Sequence, residues 1–382
     1  MEFMGFIRPD GRVGVRNSVL VIASVGCAAH AVERICAQTG ATAITHQQGC
    51  LQLGDDLRLT ERILVGAADH PNVGAVLLVG LGCETMQVGR IAAKVSAKPL
   101  EQITIQGEGG TRKTVERASR LVVEMQAALD AERRRPAPLS SLIIGTKCGG
   151  SDALSGLTAN PATGHACDRL VDEGATVLLS ETPGLFGSQG NLGRRFVHAE
   201  DRDRLEAILA RTWAEALRTG EALSDGELSP GNIEGGLTTL TEKSLGATTK
   251  AGTRPLQGIL ECAERPPFPG AWIMDTPGFD VITISGQTAG GAQIIVFTTG
   301  RGSPVGSALA PVVKVCSNTR TFQWMDEDMD VNAGQIADGV KSIAEVGEEI
   351  FDRILRVANG EETASERMGH REFALAHIGS TL

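Results

Sequence analysis

The sequence contains no tyrosine, and aromatic residues make up only 3% of its 382 residues. Proteins that bind single-stranded nucleic acid usually stack bases on aromatic side chains, so no such platform is expected. Basic charge is also scarce, since 36 lysines and arginines stand against 46 acidic residues and the formal net charge is −10. Nucleic-acid-binding domains generally carry a basic face, so we expect no nucleic-acid partner.

Long apolar runs are absent too. No stretch approaches the roughly 18 apolar residues that a transmembrane helix needs, so no membrane partner is expected. The first eight residues, MEFMGFIR, contain an early acid and differ from a secretory signal peptide. We therefore expect a cytoplasmic protein, and the 42% hydrophobic and 21% charged content is typical of a globular one.

What is present is a regular alternation of short apolar segments and amphipathic segments. Strands are predicted at residues 17–25, 41–45, 73–79 and 100–106, and helices at residues 28–38, 59–69, 86–95 and 113–133. Apolar strands separated by helices indicate parallel pairing with both faces covered. We therefore predict an α/β fold of doubly wound, largely parallel sheets, with ligands at the carboxyl ends of the strands.

The chain is long enough for two or three domains. The segment RRRPAP at 133–138 is a candidate domain boundary, because a charged run is followed by two prolines. We predict a Rossmann-like domain over 1–135 and a second α/β domain over 136–265, which contains a long glycine-rich loop at 219–238. A mixed α/β segment over 266–382 packs with the second domain. In this segment we predict strands near 271–274, 281–284, 292–298 and 312–316, and a helix at 335–357.

Four of the eight cysteines share one local setting. Cys27, Cys50, Cys83 and Cys148 each come just after a predicted strand and next to a glycine. In a parallel sheet this position brings all four to one edge, where open α/β proteins build their sites. Their spacing matches no local zinc finger. A disulfide framework is not expected in such a chain, so the open alternatives are metal ligands, free thiols and core packing.

The neighbours of these cysteines carry further chemistry. His46 precedes Cys50, Glu84 follows Cys83, and Asp152 lies four residues after Cys148. Thiolate and imidazole favour zinc or iron, whereas carboxylates also suit manganese and magnesium. His46 could equally be a core histidine with satisfied hydrogen bonds.

Other polar positions lie in loops without an evident structural need. Asn160 is in SGLTANP, where an ordinary turn is the alternative, and Glu181 is in SETP, where a helix cap is the alternative. Arg16 is in DGRVGVRN, and its planar guanidinium suits a substrate carboxylate, although a surface arginine is the simpler account. Lys243 in LTEKSLG gives a weaker signal for a base or a charge clamp.

Longer motifs carry a family resemblance. HQQGC at 46–50, CGGSDALSGLTANPATG at 148–164, GGLTTLTEKSLGA at 235–247 and AGGAQIIVFTTGRGS at 289–303 resemble altronate and galactarate dehydratases. The likeness extends, in order, over nearly the whole chain. It implies a lyase that removes water from a small hydroxy or sugar acid, an aldonate or aldarate. The product would be a 2-oxo-3-deoxy acid, formed through an enol.

The resemblance also implies a metal ion, Fe²⁺ or Mn²⁺. On this reading the metal ligands are Cys27, Cys50, Cys83 and Cys148, the catalytic residues are His46, Glu84 and Asp152, and the substrate contacts are Arg16, Asn160 and Glu181. An iron–sulfur cluster on Cys27, Cys50 and Cys83 is the alternative, because thiolates are the usual ligands of such clusters.

Members of the family usually carry a small domain ahead of the first shared motif, which begins here at Gly5. We therefore expect a separate small subunit as a partner, together with a homo-oligomer of this chain. This split arrangement also resembles sulfolactate sulfo-lyase, which releases bisulfite and pyruvate and is the alternative activity.

A non-catalytic scaffold subunit is the second alternative. A nicotinamide oxidoreductase is not expected, because Gly80 and Gly82 begin a G-x-G-x-x-G turn that ends on Thr85 rather than glycine.

Overall fold

The computed structural model describes residues 1–96 and 98–378 of the chain. It is an α/β protein built on two parallel sheets and one small antiparallel sheet. The strands, in chain order, are β1 (Glu2–Ile7), β2 (Val13–Gly14), β3 (Ser18–Ala23), β4 (Thr42–Ile44), β5 (Val73–Gly80), β6 (Leu100–Thr104), β7 (Arg135–Pro138), β8 (Ile143–Cys148), β9 (Thr176–Leu179), β10 (Leu256–Leu260), β11 (Gly270–Met274), β12 (Ile294–Thr299), β13 (Val312–Cys316) and β14 (Val331–Asn332).

Most of the helices connect consecutive parallel strands. In chain order they are α1 (Ala29–Thr39), α2 (Gly54–Ala68), α3 (Val88–Ala92), α4 (Thr111–Asp130), α5 (Ala159–Asp172), α6 (Gln189–Gly193), α7 (Glu200–Leu217), α8 (Leu223–Glu227), α9 (Pro230–Glu234), α10 (Leu240–Thr248), α11 (Asp280–Ala289), α12 (Thr319–Trp324), α13 (Ile343–Ala358) and α14 (Ala364–Arg367). None of the helices in the described part of the chain is long and apolar enough to cross a membrane.

The first parallel sheet has four strands in the order β4-β3-β5-β6. Its central strand β5 is buried along all of its length, because helices cover both faces of the sheet. Helices α1 and α4 pack on one face, and α2 and α3 pack on the other. The strands predicted from apolar runs in this region are confirmed, with boundaries that differ by at most two residues.

The second parallel sheet has seven strands in the order β10-β11-β9-β8-β12-β13-β14. It takes strands from 136–265 and from 266–382, so the two segments share one sheet. Helices α5 and α13 cover one face, and α11 packs on the other. The doubly wound, largely parallel fold predicted from the sequence is therefore confirmed.

Several local details differ from the sequence-based expectations. The candidate boundary segment contains a strand, because Arg135–Pro138 is β7, which pairs antiparallel with β1. Proline lacks an N–H donor, but an edge strand tolerates it, and β7 lies at the edge of the small sheet. Residues 281–284 belong to helix α11 rather than to a strand. A short apolar run alone does not distinguish a buried strand from a buried helix.

Two longer segments also differ from the prediction. The loop predicted at 219–238 contains the short helices α8 and α9. The helix predicted from residue 335 begins only at Ile343, because Ser342 caps it in a reciprocal capping box with Glu345.

The two parallel sheets are joined through the packing of α2 against α11. A Cβ atom on Gly66 would lie only 2.2 Å from the carbonyl oxygen of Ala289, so the close approach of these helices requires glycine there. At the same junction His70 Nε2 is 3.0 Å from the carbonyl oxygen of Ala292. Asn72 donates from Nδ2 to the carbonyl oxygens of Gln293 and Leu309. Buried hydrogen bonds therefore fix the two sheets against each other.

Candidate functional site

A buried ionic cluster lies at the carboxyl ends of β8 and β9. Lys147 and Cys148 are the last two residues of β8, and Glu181 follows β9. The backbone of Glu181 has a φ of 71°, in the left-handed region that non-glycine residues rarely adopt. Its N–H donates to Thr276 Oγ1 at 3.0 Å, which helps to hold this conformation. Such local backbone strain is typical of functional sites.

Two lysines converge on the Glu181 carboxylate. The ammonium group of Lys147 donates to Oε1, and that of Lys250 donates to Oε2 at 2.7 Å. The N–H of Cys148 also donates to Oε2, at 3.0 Å, and Lys250 Nζ lies 3.2 Å from the Cys148 sulfur. All four side chains are buried, so these contacts are shielded from bulk water.

Burial and charge set the protonation states of this cluster. Burial alone would raise the pKa of Glu181, but the ammonium groups of Lys147 and Lys250 outweigh it and hold that pKa at about 2. Burial would lower the pKa of Lys147, yet Glu181 and Asp280 raise it above its usual value. Burial and the charge of Glu181 raise the pKa of the Cys148 thiol. At neutral pH the cluster therefore contains charged lysines, an ionised glutamate and a neutral thiol.

The cluster reaches the surface at the start of α11. Lys147 Nζ also contacts the carbonyl oxygen of Gly278 at 2.8 Å and Asp280 Oδ1 at 3.0 Å. The Asp280 side chain is 28% exposed. A Cβ atom on Gly149 would lie 2.5 Å from Asp280 Oδ2, so this contact depends on glycine after the strand.

A cavity of about 220 Å³ with polar and apolar walls lies beside the cluster. Its walls come from the loop after β8, from the start of α5, from Leu237 and from α10; they are Ser151, Asp152, Ala153, Ser155, Gly156, Leu157, Asn160, Leu237, Glu242, Lys243 and Gly246. Lys243 lies in the cavity wall, and Lys250 follows seven residues later, about two helical turns along the same segment. The segment from α10 to Lys250 thus contributes one lysine to the cavity wall and one to the cluster.

Asn160 is the predicted substrate contact that lies in this wall. Its Oδ1 accepts a hydrogen bond from Thr298 Oγ1 at 2.6 Å. Within the described residues its amide nitrogen has no protein partner, so it is available to donate to a ligand. Thr298 pairs with Cys148 across β12 and β8, which connects Asn160 to the ionic cluster.

Asp152 also lines the cavity, but both of its carboxylate oxygens are occupied. Oδ1 accepts from the hydroxyl groups of Ser155 and Ser317, each at 2.7 Å, and Oδ2 accepts from Asn318 Nδ2 at 3.0 Å. A Cβ atom on Gly300 would lie 2.2 Å from the Asp152 Cγ atom. The carboxylate therefore ties together the loops that follow β8, β12 and β13.

The four cysteines do not share one sheet edge, contrary to the sequence-based expectation. Cys27, Cys50 and Cys83 follow neighbouring strands of the four-stranded sheet and are exposed, whereas Cys148 is buried at the end of β8 in the other sheet. The reason is that the strand–turn–cysteine pattern recurs in both sheets, and the local sequence does not say which sheet a strand joins.

His46 and Glu84 lie at the edge of the four-stranded sheet, away from the ionic cluster. His46 Nε2 is 2.8 Å from the carbonyl oxygen of Ala23, and Nδ1 accepts from the N–H of Gln48 at 3.1 Å. Backbone contacts therefore occupy both nitrogens of the imidazole, and burial lowers the pKa of His46 to about 4. The Glu84 carboxylate accepts from Ser24 Oγ at 2.9 Å.

The donor set does not form a metal site in this conformation. Over residues 1–96 and 98–378, no three histidine, cysteine, aspartate or glutamate side chains are arranged to hold an ion. The occupied nitrogens of His46 agree with this, because a ligating imidazole needs one of them free. The described residues thus do not fit a preorganised iron or manganese centre.

Arg16, near the start of the sequence, forms a clamp with residues near its end. Its Nε and Nη2 donate to the two carboxylate oxygens of Glu366 at 2.7 and 2.8 Å. It also donates to the carbonyl oxygens of Val15, Val357 and Glu361. These bonds attach the N-terminal segment to the end of α13 and to α14.

Sequence reasoning missed Lys147, Lys250 and Asp280. A signal existed for Lys147, because a lysine at the end of the otherwise apolar strand LIIGTKC needs a buried partner. Lys250 had no comparable signal, since ATTKAG is typical of an exposed turn. The contact of Asp280 with Lys147 depends on the position of α11, which was predicted as a strand.

Known proteins resemble the chain over its whole length. The description "D-galactarate/Altronate dehydratase, C-terminal" matches residues 139–381, and "D-galactarate dehydratase/Altronate hydrolase, second domain" matches residues 5–130. The chain is 36% identical to the (2R)-sulfolactate sulfo-lyase subunit beta of Chromohalobacter salexigens, covering 98% of this chain and 97% of that protein.

Two dehydratases are similar at almost the same level. The chain is 35% identical to the altronate dehydratase of Bacillus subtilis, over 100% of this chain and 78% of the relative. It is 34% identical to the galactarate dehydratase (L-threo-forming) of Escherichia coli, over 98% and 76%. With both family segments matched and these relatives aligned along its length, the chain belongs to the D-galactarate/altronate dehydratase family.

Proposed function

We propose that the protein removes water from a small hydroxy or sugar acid, an aldonate or an aldarate. In this reaction the proton on the carbon next to the carboxylate is removed, and the hydroxyl group on the following carbon leaves as water after it takes up a proton. The resulting enol ketonises to a 2-oxo-3-deoxy acid. The chain is a lyase of its family, and this proposal concerns the leaving group and the substrate class.

The observation that carries the proposal is the convergence of Lys147 and Lys250 on one buried carboxylate at the carboxyl ends of β8 and β9, next to the loop after β8 that lines the cavity. Removal of the proton from the carbon next to the carboxylate places a second negative charge on the substrate as the enolate forms. Fixed ammonium groups in a buried site stabilise such a charge strongly, because no solvent has to reorganise around it. The placement at the carboxyl ends of parallel strands agrees with where this fold binds ligands.

The cluster is suited to electrostatic stabilisation rather than to proton abstraction. Glu181 has a pKa of about 2, which makes its carboxylate a weak base. The Cys148 thiol is neutral because its pKa is raised. We therefore assign Lys147 and Lys250 to the developing charge and Glu181 to positioning of both ammonium groups.

A divalent iron or manganese ion, or an iron–sulfur cluster, is retained as a proposal that rests on the family resemblance. Bound to substrate, such an ion would act as a Lewis acid on the carboxylate and hydroxyl oxygens. The thiols of Cys27, Cys50 and Cys83 are the exposed donors on neighbouring loops, but they do not converge with other ligands. No step of the elimination is assigned to a metal.

The second candidate is a sulfo-lyase acting on sulfolactate. It is favoured by the 36% identity to a sulfolactate sulfo-lyase subunit beta. This elimination follows the same course as the dehydration. Loss of the α-proton and of the β-sulfonate group as bisulfite gives an enol that ketonises to pyruvate. Since that relative is named as a subunit, we also propose a small partner subunit for this chain. Formation of a homo-oligomer stays a prediction.

The test is a product assay with purified chain on altronate, galactarate and sulfolactate, with iron or manganese supplied. A 2-oxo acid without sulfite supports the dehydratase, and pyruvate with equimolar sulfite supports the sulfo-lyase. The assay is repeated with a co-expressed small subunit, and Lys147→Met serves as the inactive control. Absence of turnover under all of these conditions would contradict both proposals and favour the scaffold alternative.

A further inference from the structure

We propose that Lys243 anchors the substrate carboxylate and that Glu227 is a resident competitor for the same ammonium group. The inference rests on the proposed function for the identity of the ligand, a hydroxy-acid carboxylate. It assigns Lys243 a role in substrate specificity, and it makes Glu227 a carboxylate that substrate must displace.

Lys243 is the cationic side chain in the wall of the cavity. In this structure its Nζ donates to Glu227 Oε1 at 2.9 Å and also to the backbone carbonyl oxygen of Glu227. The two side chains are 14% and 15% exposed, so the pair is largely shielded from water. A partly buried ammonium group keeps a counter-ion, and a substrate carboxylate offers the same charge and the same acceptor oxygens.

The Glu227 carboxylate is enclosed by other parts of the chain rather than exposed on the surface. It lies between the turn at residues 181–184 and the turn at residues 277–280. A Cβ atom on Gly278 would be 3.1 Å from Glu227 Oε2, and one on Gly184 would be 3.8 Å from Oε1. These turns also carry Glu181 and Asp280 of the ionic cluster. An internal carboxylate thus lies between the two turns that carry Glu181 and Asp280, and it is bound to the cavity-lining Lys243.

The chain around Glu227 allows a change of partner without unfolding the cavity. Helix α9 is attached separately, because Asn232 Nδ2 donates to the carbonyl oxygen of Ser151 at 2.9 Å. The carbonyl oxygen of Gly235 accepts from the N–H of Ala153 at 2.9 Å. Glu227 ends the preceding helix α8, so it can leave Lys243 while α9 remains in place.

The experiment compares three variants of the full chain with the wild type. Glu227→Gln removes the competing charge, Lys243→Met removes the anchor, and Glu234→Gln is the matched control. Glu234 lies in the same segment and pairs with Arg301 at 2.8 Å, but its side chain is 69% exposed and outside the cavity. It therefore tests the loss of one ion-paired glutamate without touching Lys243.

With the acid that the wild type turns over, we expect Glu227→Gln to lower KM roughly 3- to 10-fold and Lys243→Met to raise it roughly 10- to 100-fold. Glu234→Gln should leave KM within about 2-fold, as expected for a surface ion pair. A purely structural role for Glu227 predicts a raised or unchanged KM. Either of those results in the presence of measurable turnover overturns the inference and leaves the proposed function standing.

A binding measurement keeps the inference testable if no acid is turned over. Thermal unfolding is followed with D-gluconate, and with D-glucitol as the uncharged probe of similar shape. We expect D-gluconate to raise Tm more for Glu227→Gln than for the wild type and not at all for Lys243→Met, with no effect of D-glucitol. Equal shifts in all three proteins, or none in any, overturn the inference independently of catalysis.

Discussion

The ammonium nitrogen of Lys250 lies 2.7 Å from Glu181 Oε2, although the two residues are 69 positions apart in the chain. Lys147 approaches the other oxygen of the same carboxylate from the end of β8. A buried carboxylate is stable only when its charge is compensated, and here two ammonium groups share that task. Because Asp280 also pairs with Lys147, the cluster has no net charge, and it can stabilise an anionic intermediate only through the fixed orientation of its two ammonium groups.

Replacement of Lys250 by methionine should reduce both activity and stability. Loss of one fixed cation from the site should lower kcat by roughly 100-fold or more. Breaking a buried pair should lower the free energy of unfolding by about 3 kcal/mol. Steady-state kinetics and urea denaturation measure the two effects. Lys98→Met is the control, because Lys98 donates to the carbonyl oxygens of His70 and Val73, next to the four-stranded sheet rather than at the cluster. Equal losses of kcat in both variants would contradict a role of Lys250 in the site.

Acid should destabilise the protein through two buried histidines. Burial lowers the pKa of His46 to about 4 and that of His70 to about 3. In the unfolded chain both pKa values return to about 6.5, so the unfolded state binds more protons below that pH. The stabilisation is therefore complete above about pH 6.5 and is lost as the pH falls toward 4.

The two histidines should give a measurable slope in a plot of the free energy of unfolding against pH. Each histidine should contribute about 1.4 kcal/mol per pH unit to the pH dependence of the free energy of unfolding between about pH 6 and 4.5. His70→Gln should reduce the slope by that amount. His30→Gln is the matched control, because the His30 side chain is 76% exposed. Identical slopes for the wild type and His70→Gln would show that His70 is not kept neutral by burial.

Arg16→Met separates the clamp seen in the structure from the substrate contact predicted from the sequence. Loss of the paired bonds to Glu366 should lower the free energy of unfolding by about 1–3 kcal/mol, while KM stays within about 2-fold. Arg112→Met is the control for removal of an exposed pair, that with Glu116. A 10-fold higher KM at unchanged stability would instead support the substrate contact.

Retention of a metal ion should require substrate or a small subunit in addition to this chain. Because no described set of three donors converges, we expect less than one iron or manganese per chain after anaerobic purification and brief exposure to a chelator. Retention should rise when substrate or a small subunit is present. Elemental analysis with acid-labile sulfide measures both. Stoichiometric iron and sulfide that survive the chelator in the isolated chain would contradict this expectation, and serine variants of Cys27, Cys50 and Cys83 would then locate the ligands.

The sequence predicted the four-stranded sheet well because its strands are buried on both faces. Segments such as VGAVLLVG at β5 are apolar throughout, and helices of suitable length separate them. The same reasoning failed at residues 281–284, where an apolar run is one side of helix α11. The sequence likewise did not indicate the strand in RRRPAP, because pairing of β7 with β1 joins segments about 130 residues apart.

The candidate site could be predicted only in part. Cys148 and Glu181 were singled out because residues that follow the strands of a parallel sheet lie at its carboxyl edge. Asn160 was singled out because its loop has no evident structural need of a polar side chain. The grouping of Cys148 with the other three cysteines was wrong, since strand order assigns it to a different sheet.

The sequence by itself determined the fold class and the family, because apolar periodicity and long ordered motifs are local properties that remain visible along the chain. Only the tertiary structure decided which polar groups meet. Lys147, Glu181 and Lys250 come from three separate segments, and Glu227 reaches Lys243 from a fourth. Such contacts depend on strand order, helix position and burial, and the energy of a buried charge depends on partners that no local pattern reveals.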